Sequence, residues 1–479
     1  MADIDMNSSL FLTCFFVYIL AMILFGCWIS RRKQSGNDFL LGGRALPLFL
    51  TLGTTVATMV GTGSSMGAVG KAYQNGWMGS LYGLGGALGI FIAAWLFAPM
   101  RQHRFMTMAE ELSSYVGGNR AVKNLVGVFT YLSSVGWLGA HILGGGMYLV
   151  FVTGIDPLWA KIWIAGGFGI YAVIGGYLAV VWTDTIQAVV LFVGFLLTAL
   201  FAVRAAGGWE KLQAVNAQLM ENIHVLPSLS LIVVIAVGVL GTPSFRQRIY
   251  SGNSVLDVRK AFIVSGILYL GFALLPTIIG MAAYQSNPEL RSPDLAFPWM
   301  ATSVLPMGLG MLILLAGLSA TMSSASSDAI AGVTTVIRDL YQCVFKKMPA
   351  PEKVVPYSRA ALGLTVGLAL IMAVVSDNIL GYISNIINLF MTGMCVCGIL
   401  GRVWPRYNAA GALASLIGAF VTALVFKEWN TIWGNPVIPS LVISSLAGIL
   451  VSCITPPDKK SHDEALKQLQ QEREEMQTD

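Results

Sequence analysis

A run of side-chain hydroxyls inside an apolar segment is the strongest chemical signal in this sequence. Residues 318–341 read LSATMSSASSDAIAGVTTVIRDLY. The polar residues concentrated at its centre are Ser323, Ser324, Ser326, Ser327 and Asp328. Polar groups in hydrocarbon cost free energy unless they pair, line a cavity or hold an ion. The cluster therefore indicates a binding site within a membrane-spanning helix.

One face of this helix is suited to a small hard cation. At about 100° per residue, Ala320, Ser323, Ser324 and Ser327 lie on the same side. Hydroxyl oxygens there, together with backbone carbonyls from a second segment, form the ligand set that such a cation prefers. Serine is also small enough to let helices pack closely, and it bonds back to its own helix carbonyls. The density of polar residues favours ion binding over packing alone.

A second segment has the features needed to supply those carbonyls. Residues 42–73 read GGRALPLFLTLGTTVATMVGTGSSMGAVGKAY, and glycine, threonine and serine interrupt the apolar pattern between Ala57 and Gly67. Many secondary transporters bind ions and substrates at helices that are broken in the middle of the membrane. A glycine-rich face for helix packing is the alternative interpretation.

The composition is that of a polytopic membrane protein. Of 479 residues, 56% are hydrophobic and only 11% are charged, whereas about 25% is usual for a soluble domain. The six cysteines show no spacing typical of a metal site or a disulfide framework. The sequence contains no metal-ligand spacing, nucleophile motif or phosphate loop, so we expect no enzyme. The net charge of +5 follows from basic loops and does not point to nucleic acid.

Apolar stretches long enough to cross a bilayer predict about 13 transmembrane helices. They cover 9–29, 46–72, 78–98, 122–152, 158–178, 183–206, 228–248, 261–284, 298–338, 356–376, 378–400, 408–426 and 436–454. If these spans alternate in direction, the loops richest in lysine and arginine fall on one side. Because such loops stay in the cytoplasm, we predict an external amino terminus and a cytoplasmic carboxyl terminus.

Four motifs in order along the chain resemble those of the sodium:solute symporter family. They are GGR at 42–44, TDTIQ at 183–187, RQR at 246–248 and MSSASSDAIAGVTTVIRDLY at 322–341. The resemblance implies an all-α polytopic membrane protein with a LeuT-like fold, built from two inverted five-helix repeats in a single transporter domain, 1–479. Its parts would be an extra first helix (9–29), a first repeat (46–206), an inverted second repeat (228–400), two additional helices (408–454) and a cytoplasmic tail (455–479).

The same resemblance implies sodium sites, with Na⁺ as the coupling ion. The main site would use the backbone carbonyls or hydroxyls of Ala57, Val60, Ala320, Ser323 and Ser324. A second sodium site, found in some members, would use Asp184, Ser323, Ser326 and Ser327. From the residues alone, Asp184 could instead cap a helix that begins at Thr183. Asp328 has no matching role, and Arg248 is either a gate, a clamp on backbone carbonyls or an anchor at the membrane interface.

The predicted substrate pocket lies between the two repeats. Its residues are Thr58, Met59, Gly61, Thr62, Ser64, Trp77, Tyr82, Trp137, His141, Ser244, Phe245, Asn385 and Asn388. A histidine inside the membrane is a functional candidate, although a hydrogen-bonded packing histidine is equally consistent.

The choice of solute is only partly constrained. The stretch at 97–112 is similar to the choline carriers of the family, which surround a quaternary ammonium with tryptophans, as cation–π attraction favours. Of three such positions, only Trp137 matches, and the others hold Met59 and Ser244. We therefore expect a small polar or zwitterionic organic solute.

Together these features predict a sodium-coupled symporter that imports this solute by alternating access. The expected location is the plasma membrane, as a multi-pass protein of a bacterial inner membrane. The expected partners are the solute, sodium ions and the lipid bilayer, and no nucleic acid is expected. We expect the monomer to be the functional unit. The alternative is a proton-coupled carrier of the same fold using Asp184, Asp328 or His141. A sensor that has lost transport is less consistent, since such proteins usually carry an added signalling domain.

Overall fold

The computed structural model describes residues 8–29, 35–221, 224–426 and 430–478, and within these ranges it is helical, with no β-strand. Three loop cations used to predict the orientation, Arg31, Arg32 and Lys33, lie outside the described residues. The helices are α1 (Ser8–Ile29), α2 (Gly36–Leu41), α3 (Leu48–Met59), α4 (Ala68–Asn75), α5 (Ser80–Ile92), α6 (Met108–Ser114), α7 (Arg120–Thr153), α8 (Pro157–Ala205), α9 (Trp209–Leu219), α10 (Val225–Gly241), α11 (Pro243–Ser251), α12 (Val255–Ser286), α13 (Ala296–Ser303), α14 (Met307–Thr335), α15 (Tyr341–Phe345), α16 (Pro351–Val374), α17 (Ile379–Ile386), α18 (Thr392–Val403), α19 (Ala409–Val425), α20 (Asn430–Trp433), α21 (Val437–Ile454) and α22 (His462–Thr478).

Local sequence sets the ends of these helices. Helix α7 begins after Asn119, whose side chain accepts hydrogen bonds from the backbone N–H groups of Ala121 and Val122 at 2.9 and 3.2 Å. It ends at Gly154, which adopts the left-handed conformation (φ 70°) that glycine tolerates best. Helix α8 is interrupted at Gly176, where φ is 62° and ψ is −168°. This break falls near the predicted boundary between spans 158–178 and 183–206.

Two breaks position the centre of the molecule. Helix α3 ends at Val60, whose φ of −94° and ψ of 66° leave the helical region. The chain then continues through a π-helical turn, Gly63–Gly67, into α4. Helices α10 and α11 meet at Thr242 with a bend of 45°, and Pro243 occupies the first turn of α11, where its missing N–H is tolerated.

Fewer helices are long and apolar enough to cross a membrane than the thirteen spans that the sequence predicts. Among the described residues, nine helices pass this test, or ten if α10 and α11 count as one span. Helices α3 and α19 are apolar but too short to pass, and the predicted span at 298–338 divides into α13 and α14. The protein is a multi-pass membrane protein, and the count of thirteen stays a prediction, as do the boundaries of the two repeats.

The hydroxyl-rich helix α14 lies at the core of the bundle. It packs against α7 and α8, and it also contacts α3, α11 and α16. Every residue from Ala316 to Thr335 is buried. Because the helix has neighbours on all sides, its serines face other helices and not lipid.

The carboxyl-terminal helix α22 docks on the short helix α6. Ala465 and Leu469 are buried, and His462 Nδ1 lies 2.9 Å from the carbonyl oxygen of Ser114. Arg473 donates to Glu110 at 2.9 Å. The sequence alone did not predict this docking, in which the buried alanine and leucine and the paired Arg473 face the bundle.

Glu110 is the centre of a buried charge cluster beneath this helix. Its carboxylate contacts Arg338 as well as Arg473, and Arg338 also lies 3.4 Å from Glu472. Burial by itself would raise the pKa of the Glu110 carboxyl, but the neighbouring arginines outweigh burial and hold that pKa well below its usual range. The cluster joins α6, the end of the hydroxyl-rich helix and the tail.

Asp294 gives the fold a predicted pH dependence. It lies in the loop before α13, where its Oδ2 accepts a hydrogen bond from the Ile379 backbone N–H at 3.4 Å. Burial raises its pKa to about 6, above the value of about 3.9 in an unfolded chain. The folded state therefore binds this proton more tightly, so the stabilisation from protonation is complete below about pH 4 and is lost as the pH rises through about 6.

We expect the Asp294→Asn variant to lack this pH-dependent contribution to the stability of the fold. Its apparent melting temperature should exceed that of the wild type most at pH 7, and the difference should shrink as the pH falls towards 4.5. Thermal unfolding of both proteins in the same detergent at several pH values measures the effect. Parallel pH profiles would contradict it.

Candidate functional site

The hydroxyl-rich helix meets the break at the end of α3. The Ser323 and Ser324 hydroxyl oxygens lie 3.4 and 3.3 Å from the carbonyl oxygen of Ala57. Ser323 also lies 3.0 Å from the carbonyl oxygen of Ala320, and Val60, at the break itself, is fully buried. Four of the five residues predicted for the main sodium site are thus in direct contact. Neutral carbonyl and hydroxyl oxygens are donors that fit a hard cation.

A second polar centre surrounds Asp184. Its Oδ2 accepts hydrogen bonds from Thr54 at 2.6 Å and from Ser327 at 2.9 Å. The same oxygen lies 3.3 Å from Nη2 of Arg248, and both side chains of this ion pair are fully buried. Arg248 also donates to Ser327 at 2.7 Å and contacts Thr58. The arginine therefore joins α3, α8, α11 and α14 at one point.

Asp184 does not cap a helix. Helix α8 continues through this position from Gly176 to Ala205, and the Thr183 hydroxyl donates to the carbonyl of Val180 at 2.8 Å within the same helix. The capping interpretation is therefore wrong. The aspartate projects sideways from the middle of a helix, where its partners come from other helices.

The predicted ligands of the second sodium site are only partly gathered. Ser327 bonds to Asp184, whereas Ser326 donates to the carbonyl oxygens of Met322 and Ser323 within its own helix at 3.1 and 3.0 Å. Asp184 Oδ1 is buried and makes no hydrogen bond. A free carboxylate oxygen beside a serine hydroxyl fits a sodium ion, although Arg248 already balances the charge of the carboxylate.

A central cavity adjoins both centres. Seven of the predicted pocket residues line it: Thr58, Met59, Gly61, Tyr82, Trp137, His141 and Phe245. The remaining lining residues, which were not predicted, are Gly63, Gly86, Ile235, Val239, Thr242, Tyr269, Asp328 and Ile387. Most of the wall is apolar or aromatic, with few polar groups, as is usual for a small-molecule site.

Three predicted pocket residues lie one layer behind the wall. Thr62 bonds to His141 Nδ1 at 2.9 Å, and Ser64 donates to the carbonyl of Met59 at 2.9 Å. Ser244 is fully buried, and its carbonyl accepts a hydrogen bond from Arg248 at 2.8 Å. These residues therefore support the cavity wall.

The other three predicted pocket residues do not line the cavity, and each lies in a different environment. Trp77 bonds through its backbone N–H to Asn216 and packs against Trp209, with ring centroids 6.2 Å apart, so it lies away from the cavity. Asn385 is exposed. Asn388 is buried beside the lining residue Ile387, and neither polar atom of its side chain makes a hydrogen bond. The π-helical turn Ile387–Met391 alters the spacing that a regular helix would give here.

Sequence reasoning missed the role of Asp328. Its Oδ2 lies 3.3 Å from Nε2 of His141, and both side chains are 3% exposed. Trp137 stacks near the histidine, with ring centroids 6.2 Å apart and an interplanar angle of 18°. The available signal was its position four residues after Ser324, which places both on one face of the helix. Its histidine partner is 187 residues away in the sequence, so the pair could not be read from local pattern.

Comparison with known proteins decides the family. The sequence model of the sodium:solute symporter family matches residues 39–418. The chain belongs to the sodium:solute symporter family. The symporter is 27% identical over 472 residues to the sodium/proline symporter of Salmonella typhimurium, covering 93% of each chain. It is 25% identical to the sodium/pantothenate symporter of Escherichia coli, covering 90% of this chain and 93% of the other.

Solved structures confirm the LeuT-like fold of this symporter. A substrate-bound, outward-open Na⁺-coupled sialic acid symporter matches with a TM-score of 0.82 at 21% identity, over 93% of this chain and 97% of the other. Mhp1, a transporter of the nucleobase-cation-symport-1 family in a closed conformation, matches with a TM-score of 0.61 at 13% identity, over 91% of this chain and 99% of the other. The predicted family and fold are confirmed. The symporter is a membrane transporter that uses Na⁺ as its coupling ion.

Proposed function

We propose that this symporter imports a small polar or zwitterionic organic solute, with sodium bound where α14 meets the break after α3. The observation that carries the site is the approach of the Ser323 and Ser324 hydroxyls to one carbonyl, that of Ala57, across more than 260 residues of sequence. Val60 and Ala320 would add the remaining oxygens. Bound sodium would therefore hold the broken helix against α14 and order the adjoining cavity wall.

The solute would bind in the central cavity. Thr58 lines this cavity, and its backbone carbonyl lies 3.4 Å from the Ser324 hydroxyl. A sodium ion that orders this turn would also order the wall against which the solute rests. Solute and ion would then each favour the same arrangement of the broken helix, which is the reciprocal coupling that a symporter requires.

A second sodium ion beside Asp184 is a separate proposal. Support comes from the unpartnered Oδ1 of this buried carboxylate and from the neighbouring Ser327 hydroxyl. Ser323 and Ser326 would complete the site after a change in their side-chain rotamers. Arg248 would compete with the ion for the carboxylate, so loading of this site would loosen the contact between α11 and α8.

Alternating access would act through the same arginine. Arg248 lies on α11, the second helix of the bent pair α10–α11. It donates hydrogen bonds to Thr54 and Thr58 on α3, the helix that ends at the other break. Opening of the cavity towards α11 would require these bonds to break. Release of the arginine would thus accompany release of the solute and the ion.

The membrane arrangement is also proposed. The basic loops support an external amino terminus and a cytoplasmic carboxyl terminus. The proposed location is the inner (plasma) membrane of a bacterial cell. We also propose that the monomer suffices for transport. We expect no nucleic-acid partner.

Sodium dependence tests the proposed function directly. We expect sodium to raise the melting temperature of the purified symporter and potassium to leave it unchanged at fixed pH. In proteoliposomes, an inward sodium gradient should drive uptake of an organic solute, whereas an equal potassium gradient should not. Equal stabilisation by the two ions would overturn the proposal. A proton-coupled carrier, which no observation favours, would instead respond to a pH gradient without sodium.

A further inference from the structure

Asp328 is the one carboxylate among the described residues that line the central cavity. Its side chain is 3% exposed, and its Oδ1 makes no hydrogen bond to any residue that the structure describes. We propose that Asp328 binds a positively charged nitrogen of the transported solute, which places the solute among amines and amino-acid-like zwitterions. This inference rests on the proposed function and identifies the substrate class of the same site.

No lysine or arginine among the described residues pairs with Asp328. Asp184, the other carboxylate at this level, is paired with Arg248 at 3.3 Å. The one polar partner of Asp328 among the described residues is His141, whose other ring nitrogen lies 2.9 Å from the Thr62 hydroxyl. A neutral imidazole satisfies both contacts by donating its Nε2–H to Asp328 and accepting the Thr62 hydroxyl at Nδ1.

In this arrangement only one oxygen of the buried carboxylate has a hydrogen-bond partner among the described residues. A buried charge without a counter-ion is strongly unfavourable. The unpartnered Oδ1 of Asp328 offers a position where a solute N⁺–H group can donate a charge-assisted hydrogen bond. A quaternary ammonium, which has no N–H, would be held by charge alone. Solute binding would relieve the cost in either case.

The rest of the wall favours the same ligand chemistry. Tyr82, Trp137, Phe245 and Tyr269 line the cavity, and aromatic faces attract cations. Neither lysine nor arginine is among its described lining residues. A solute that is only an anion would therefore meet a negative carboxylate and aromatic rings, with no side-chain cation fixed opposite it. A neutral sugar would leave the charge of Asp328 unbalanced.

Matched pairs of compounds test the inference on the full-length symporter in sodium. L-Proline is compared with cyclopentanecarboxylate, which replaces the ring nitrogen by carbon, and choline is compared with its uncharged isostere 3,3-dimethylbutan-1-ol. Glycine betaine and the common amino acids extend the cationic set, while glucose and pantothenate represent solutes without a cationic nitrogen. We expect at least one compound with a cationic nitrogen to raise the melting temperature and its nitrogen-free partner to have no effect.

The Asp328→Asn variant keeps the shape of the side chain and removes its charge. We expect the stabilising compound to bind on the order of 10- to 100-fold more weakly, the amount that a hydrogen bond to a charged group contributes. Ser319→Ala is the matched control, since Ser319 lies on the same helix but donates to Tyr18 at 2.7 Å, away from the cavity. This control should bind the compound as the wild type does.

The outcomes separate this inference from the proposed function. A sodium-induced rise in melting temperature that persists in Asp328→Asn shows that the variant folds and binds its ion. Unchanged affinity in that variant, stabilisation by the nitrogen-free partners, or stabilisation by glucose or pantothenate but by no cationic compound would each overturn the role of Asp328. Absence of stabilisation by every compound in the cationic set would overturn it as well. Loss of sodium dependence in the wild type would instead overturn the sodium site.

Discussion

Replacement of either Ser323 or Ser324 by alanine is expected to weaken sodium binding on the order of 10- to 100-fold. Each hydroxyl supplies one neutral oxygen close to the Ala57 carbonyl, and an interaction with a full charge contributes about 1.5–3 kcal/mol. Sodium titrations of the melting temperature and of solute uptake measure the change. The half-saturating sodium concentration should rise in both assays.

Thr335→Ala is the control for these variants. Thr335 is buried on the same helix, and its hydroxyl donates to the carbonyl of Ala331 within that helix at 3.1 Å. Loss of this hydroxyl should leave the sodium titration unchanged. An unaltered half-saturating concentration in Ser323→Ala and Ser324→Ala would show that sodium binds elsewhere.

Arg248→Met and Asp184→Asn are each expected to destabilise the folded symporter by about 3–5 kcal/mol. Each substitution removes one half of a fully buried ion pair and leaves the other charge without its partner. Arg248→Met also removes the donor to Thr54, Thr58 and Ser327. Unfolding of the variants in one detergent, followed by heat, should show the loss as a lower apparent melting temperature.

The double variant Asp184→Asn/Arg248→Met distinguishes charge from packing. Because it removes both charges together, its loss should be smaller than the sum of the two single losses. Arg259→Met is a matched control, since the partly buried Arg259 donates to the Ala94 carbonyl at 3.3 Å. Additive losses in the double variant would contradict a coupled pair.

The same double variant reports on the second ion. If the wild type shows a Hill coefficient for sodium near two, removal of the Asp184 carboxylate without a stranded arginine should reduce it to one. A coefficient that stays near two would reject a sodium site beside Asp184.

Two local signals pointed to the centre of the molecule. Hydroxyls in an apolar helix cost free energy unless they find partners, and clustered glycines allow a membrane helix to break. Their contact through Ser323, Ser324 and Ala57 follows from the roles that the resemblance implied. These features depend on short stretches of sequence, so they could be recognised before the fold was known.

The remaining features depend on partners that are distant in sequence. Arg248 and Asp184 are separated by 64 residues, and Arg473 and Glu110 by 363. Neither pair has a spacing that a local pattern could reveal, so several roles stayed open for Arg248 and the docking of the tail was not predicted. Asn385 was predicted to line the pocket, but it is exposed.

The neutral oxygen ligands of the proposed sodium site have an electrical consequence. Backbone carbonyls and the hydroxyls of Ser323 and Ser324 carry no net charge, so a sodium ion bound among them would keep its full positive charge. Movement of that charge across the bilayer would couple to the membrane potential, which supplies about 2.3 kcal/mol per 100 mV. A cell with a negative interior would thus accumulate solute even when sodium concentrations on the two sides are equal.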